Sequence, residues 1–152
     1  MSLSITSTAF TGGQPIPPAY SCRGRNVSPP LAWVGAPGAT KSLALILDDP
    51  DAPSGTYVHW VMYNLPAASS GLPEAVPARA SLDDGSLQGS NSSGGTGYMG
   101  PCPPSGTHHY HFKLYALDSV PGLSSGATKD QLLKAMQGHI LAQGELVGTF
   151  SK

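Results

Sequence analysis

The stretch Gly97-Tyr-Met-Gly-Pro-Cys-Pro-Pro-Ser-Gly-Thr-His-His-Tyr-His-Phe-Lys-Leu-Tyr-Ala-Leu117 passes from a glycine- and proline-rich turn into a run of aromatic and aliphatic residues. The prolines at 101, 103 and 104 remove backbone donors and fix φ, so residues 97–106 read as turns. From His109 onward the composition favours a strand. A period of two then sets His108, Tyr110, Phe112, Leu114 and Ala116 on one face. His109, His111, Lys113 and Tyr115 take the other. The apolar continuation marks the first face as the buried one. His108 and Tyr110 therefore enter the core from its rim, where their polar ends need partners.

Working outward, β-leaning runs recur at Ser42–Leu47 and Thr56–Leu65, and Glu145–Phe150 reads as a last short strand. Glycine (19) and proline (15) exceed a fifth of the 152 residues and are spread in short clusters, which implies many turns rather than a disordered tail. Short strands punctuated in this way predict a mainly β chain, a sandwich or barrel, in a single domain over residues 1–152. One helix is expected, from Thr128 to Ala142. Thr128 suits an N-cap, and Asp130 suits the first turn. Leu132, Leu133, Met136, Ile140 and Leu141 form an apolar stripe at helical spacing, and Gly144 would end the helix. The polar stretch Ala67–Gly97 reads either as a mobile linker or as a loop held against a site.

Charge narrows the function. Eight basic against nine acidic residues give a formal net charge of −1 with no Lys/Arg cluster, so no nucleic-acid footprint is present. The first residues lack a basic segment followed by an apolar one, so no signal peptide is expected. The longest apolar run, Leu43–Leu47, is too short for a bilayer, leaving at most peripheral membrane contact. Two cysteines, Cys22 and Cys102, make no disulfide framework. One bridge is possible, but free thiols in a reducing cytosol are the simpler reading, and a cytoplasmic location is expected with them.

A second segment concentrates polar groups: Leu47-Asp-Asp-Pro-Asp-Ala-Pro53, followed by His59-Trp60. Pro50 and Pro53 stiffen a turn that carries three carboxylates within four residues. The plain alternative is a solvated acidic turn, and any single histidine is more often a satisfied core residue than a ligand. Taken together, two histidines, a tyrosine hydroxyl and glycine-exposed backbone N–H groups are what an oxyanion requires. A neighbouring aspartate would hold a histidine in one tautomer or keep it protonated. Asp49, His59, His108 and Tyr110 are therefore expected to form an anion pocket.

Other motifs carry less. Gly95-Thr-Gly-Tyr-Met-Gly100 matches the dinucleotide pattern but lacks the strand before it and the helix after it. Gly122-Leu-Ser-Ser-Gly126 matches a nucleophile elbow without the α/β architecture that motif needs. Cys102, between prolines and near histidines, is a rival nucleophile for a hydrolase, and Asp49 with His59 could activate a water. Asp49, Asp51, His59 and His108 match no compact metal spacing, so neither a metal nor a cofactor is expected.

The runs Asp49–Pro53, His59-Trp60 and Gly100–Tyr110 resemble the phosphatidylethanolamine-binding proteins, most of all their short prokaryotic branch, the Raf kinase inhibitor-like proteins. Asn26-Val-Ser-Pro-Pro-Leu-Ala-Trp33 and Gly138–Phe150 extend the resemblance over nearly the whole chain. It implies a β-sandwich with one or two peripheral helices and an open pocket for phosphate-like anions. Carried over by position, that pocket comprises Asp49, His59, Pro103, His108 and Tyr110, with Asp51 and Gly100 close by. Many relatives have His-Arg-Tyr where this chain has His108-His109-Tyr110; since His109 points away, the change is expected to alter the rim rather than the anion seat. The turn before His108 is short, so either His108 or His109 can be assigned to the pocket. Tyr110 as the anchor favours His108. The implied function is non-enzymatic binding of a phosphate- or phosphoethanolamine-like group on a phospholipid, nucleotide or phosphorylated partner. A homodimer is compatible with it.

Overall fold

A computed structural model describes residues 3–152. In chain order its elements are β1 (Ser4–Thr6), a single 3₁₀ turn (Pro18–Tyr20), β2 (Leu31–Val34), β3 (Ser42–Asp49) and β4 (Tyr57–Pro66). Then come β5 (Gly71–Leu72), β6 (Leu87–Gln88), β7 (Thr107–Leu117), α1 (Lys129–Met136) and β8 (Ile140–Ser151). Two antiparallel sheets form, one ordered β1-β2-β5 and the other β6-β4-β3-β7-β8. The chain is thus the mainly β sandwich that its turn-rich composition predicts.

Burial explains the layers. Leu43, Leu45 and Leu47 of β3 face the small sheet and pack with Ile5, Leu31, Trp33, Trp60 and Phe112. Ala44 and Ile46 point to the opposite face, where Leu132 and Met136 of α1 cover them together with Val61 and Tyr63. β3 is therefore buried on both sides, which is why its sequence is a continuous apolar run rather than an alternation. β7 does alternate: His108, Tyr110, Phe112, Leu114 and Ala116 are buried, while His109, His111, Lys113 and Tyr115 are not.

The helix is shorter than expected. Thr128 caps it, accepting from Gln131 N while the Gln131 side chain accepts from Thr128 N, a reciprocal capping box. It ends at Met136, with Gly138 at φ +80° just beyond. Ile140 and Leu141 do not continue the stripe. They start β8, which pairs with β7 from Ile140↔Leu117 to Ser151↔Thr107. The free edge of β7 competes with local helix spacing for these residues and wins, leaving Ile140 and Leu141 partly exposed. Gly144 is no helix stop: a Cβ there would lie 2.4 Å from the Leu3 carbonyl oxygen.

The stretch Ala67–Gly97 is a held loop. Gln88, wholly buried, donates from Nε2 to the Pro77 and Arg79 carbonyls and accepts from Trp60 Nε1 at 2.7 Å. Asn91 Oδ1 accepts from the backbone of Ser93 and Gly95. Among the described residues no helix is long and apolar enough to cross a membrane.

Candidate functional site

Asp49 ends β3, and the neighbouring strands in the sheet are β4 and β7. Tyr57 and His59 of β4 lie on one side of Asp49, and His108 and Tyr110 of β7 on the other. A β-bulge decides the position of His59. Leu47 pairs with Trp60 but Asp48 pairs with Val58, so His59 is an extra residue. Without the bulge, alternation would turn His59 away from Trp60. With it, both are buried on the cavity side and Val58 turns to the helix-covered face.

These side chains line one half-open cavity of about 340 Å³. Its walls are Asp49 and the turn residues Ala52 and Pro53, Tyr57 and His59 of β4, and His108 and Tyr110 of β7. Met99, Cys102, Pro103 and Pro104 close it from the loop before β7. Five of the residues expected at the site, Asp49, His59, Pro103, His108 and Tyr110, thus come together. His108, rather than His109, takes the inward position.

The cavity is held by specific bonds. His108 Nδ1 lies 2.7 Å from Asp49 Oδ2, both side chains being nearly buried, so the ring donates to the carboxylate and its tautomer is set. Asp49 Oδ1 accepts from Asp51 N at 2.8 Å, which closes the turn on itself. His59 Nδ1 is 2.6 Å from the Met99 carbonyl oxygen, and burial pushes His59 below the usual histidine range. Its ring meets Tyr110 edge-on, with centroids 5.3 Å apart. Burial and the charge of Asp49 push the Tyr110 hydroxyl far above its usual range, so it stays protonated.

Asp51 and Gly100 lie outside the lining. Asp51 Oδ2 sits on the rim, accepting from His109 N at 2.9 Å and from His109 Nδ1 at 2.8 Å. These bonds hold its carboxyl below the usual range. Gly100 is part of the frame: its N–H donates to Asn26 Oδ1, and an added Cβ would fall 2.2 Å from the Tyr20 carbonyl oxygen. The third acid, Asp48, points to the opposite face, buried between Lys113 (3.3 Å) and Lys129 (2.7 Å). The three-carboxylate turn therefore splits three ways.

The cysteines correct an expectation. Cys22 and Cys102 are not free thiols but form a disulfide, with Cα atoms 5.5 Å apart across 80 residues of sequence. The 3₁₀ turn packs against the cavity loop, where Cys22 N donates to the Pro101 carbonyl and Tyr98 OH to the Tyr20 carbonyl. That seam brings the two sulfurs together. Bonded, Cys102 cannot act as the nucleophile of a hydrolase, and the free-thiol argument for a cytosolic location falls away. Among the described residues, no group of three or more His, Cys, Asp or Glu is arranged to hold a metal ion.

Fold and cavity together define a two-sheet β protein with a largely apolar cavity, into which Asp49, His59, His108 and Tyr110 bring polar groups, at the ends of three adjacent strands. The family model described as phosphatidylethanolamine-binding protein matches residues 6–151. The UPF0098 protein of Methanothermobacter thermautotrophicus is 53% identical over 150 residues, 99% of each chain. The crystal structure of CT736, a phosphatidylethanolamine-binding protein homologue of Chlamydia trachomatis, superposes with a TM-score of 0.92 at 45% identity, covering 99% of this chain and 98% of that one. E. coli YbcL, described as a member of the mammalian family, gives 0.89 at 31% identity, covering 100% and 99%. The chain belongs to the phosphatidylethanolamine-binding protein family, in its prokaryotic branch.

Proposed function

We propose that this protein binds a phosphate-like anionic group, carried by a phospholipid head group, a nucleotide or a phosphorylated partner, without transforming it. The observation that carries this reading is the gathering of His59, His108, Tyr110 and Asp49 in one half-open cavity with a tautomer-locked histidine. The cavity is large enough for a phosphate with part of its ester group. Against a hydrolase stand the bonded state of Cys102 and the use of Asp49 to hold His108 rather than to activate His59.

Titration of inorganic phosphate and of phosphoethanolamine, followed by ¹H–¹⁵N NMR, tests the reading. Shifts should concentrate on Asp49, His59, Pro103 neighbours and His108. His59→Ala and Tyr110→Phe should each weaken binding by about tenfold or more, the range for losing a polar partner in a buried site. Unchanged affinity in both variants rejects the assignment.

A further inference from the structure

The wall of the cavity is not held evenly. Asp49, Tyr57, His59, His108 and Tyr110 stand on strands of one sheet. Ala52 and Pro53 sit in a turn closed by Asp51 N on Asp49 Oδ1 and by Gly55 N on the Ala52 carbonyl. Met99 is bonded twice to His59: its N–H donates to the His59 carbonyl, and its own carbonyl accepts from the ring. Cys102, Pro103 and Pro104 have no such support. Their segment begins after the Pro101 carbonyl, which accepts from Cys22 N, and ends before the Gly106 carbonyl, which accepts from Lys152 N. Between these two points residues 102–105 make no hydrogen bond to any described residue. Apart from the packing of the buried Pro103, the covalent bond from Cys102 to Cys22 is what fixes this part of the wall.

That bond is open to chemistry. Cys22 and Cys102 are both exposed, and Cys102 also lines the cavity, so a thiolate in solution has access to the sulfurs. Reduction leaves both ends of the segment pinned, because the Cys22 N–Pro101 O and Lys152 N–Gly106 O bonds involve no sulfur. Gly106 stands at φ +66° with open space around it and serves as a pivot. Pro103 and Pro104 restrict their own φ and the residues before them, so the freed piece swings as a stiff flap. We infer, resting on the reading of this cavity as an anion site, that the Cys22–Cys102 bond is a redox latch on it: reduction releases residues 102–105 from the cavity mouth and weakens ligand binding, and re-oxidation restores it.

The reductant is a dithiol. One of its thiolates attacks a sulfur of the bond, forms a mixed disulfide and expels the other cysteine as a thiolate. Its second thiolate then displaces the first protein sulfur. Two electrons and two protons end on Cys22 and Cys102, and the reductant leaves as its own disulfide. A wall in place about one time in ten after reduction lowers the apparent affinity about tenfold. Coupling of this kind is reciprocal, so a bound anion protects the disulfide from reduction by the same factor.

Calorimetry with phenyl phosphate on the oxidised protein and on the protein held in dithiothreitol tests the inference. Affinity should fall about tenfold on reduction and return on re-oxidation. Cys22→Ser breaks the bond at a residue outside the cavity lining; it should match the reduced protein, and dithiothreitol should change nothing further. In a glutathione redox buffer, saturating phenyl phosphate should shift the thiol–disulfide ratio about tenfold towards the disulfide, or about 30 mV. Backbone ¹⁵N relaxation should show Cys102 and Ser105 gaining motion on reduction while β3, β4 and β7 keep their signals. Equal affinity in the two redox states, or a redox ratio indifferent to the ester, overturns the latch and leaves the anion site in place. Collapse of the whole spectrum on reduction also overturns it, because the bond would then hold the fold and not the wall. Failure of the oxidised protein to bind removes the anion site, and the latch with it.

Discussion

His59 makes the folded protein sensitive to acid. Its folded-state affinity for a proton lies below the ordinary histidine value of 6.5, because burial penalises the imidazolium more than Asp49 and the Met99 carbonyl reward it. Above 6.5 both folded and unfolded forms are neutral at this position, and it contributes no slope. As the pH falls below 6.5 the unfolded chain takes up a proton that the folded chain resists, so stability declines until the lowered folded value is reached. Denaturant midpoints recorded between pH 7.5 and 4.5 should therefore fall on the acid side. His59→Gln should flatten the part of that slope nearest 6.5. An unchanged slope in the variant would show that other groups carry it.

Among elements, the loop between Gly97 and Gly106 owes its path to close approach. Gly100→Ala drives a Cβ into the Tyr20 carbonyl, which cannot yield without moving the 3₁₀ turn, and against Asn26 Oδ1, the acceptor of the Gly100 N–H. It should cost about 1–3 kcal/mol, the usual range for overpacking. Gly38→Ala, with open space and no positive φ, should change stability by less than about 0.5 kcal/mol. Thermal denaturation of the two variants decides between them, and equal midpoints would contradict the packing argument. What could be read in the sequence follows the same division. β3, β4 and β7 were legible because runs of eight to eleven residues keep a period or a continuous apolar character. β1, β2 and β5 have four residues or fewer, too short for any pattern. Ile140 and Leu141 fit a helical stripe equally well, and only the unpaired edge of β7, invisible locally, assigns them to a strand. At the site, alternation along β7 sorted His108 and Tyr110 from His109 and His111. The bulge that turns His59 inward is a count of two residues against one across strands, so no single strand could reveal it.

For the whole molecule, the Cys22–Cys102 bond ties the N-terminal third to the loop that walls the cavity. A closed loop of this length implies a stabilisation of about 2–5 kcal/mol, gained mainly by restricting the unfolded chain. Reduction, or the Cys22→Ser and Cys102→Ser pair, should lower the melting temperature accordingly. A melting temperature unmoved by reductant would place the stability of that seam in its hydrogen bonds alone. The same N-terminal third crosses the outer side of β8, where Gly13 N and Ile16 N donate to the Val147 and Thr149 carbonyls and Thr149 N donates to the Gln14 carbonyl. β8 is a twelve-residue edge strand, the kind of exposed ladder on which another chain can nucleate. By bonding to the outward-facing peptide groups of Val147 and Thr149, residues 13–16 close that part of the edge to another chain, and Ile16, buried in the core, anchors the segment there.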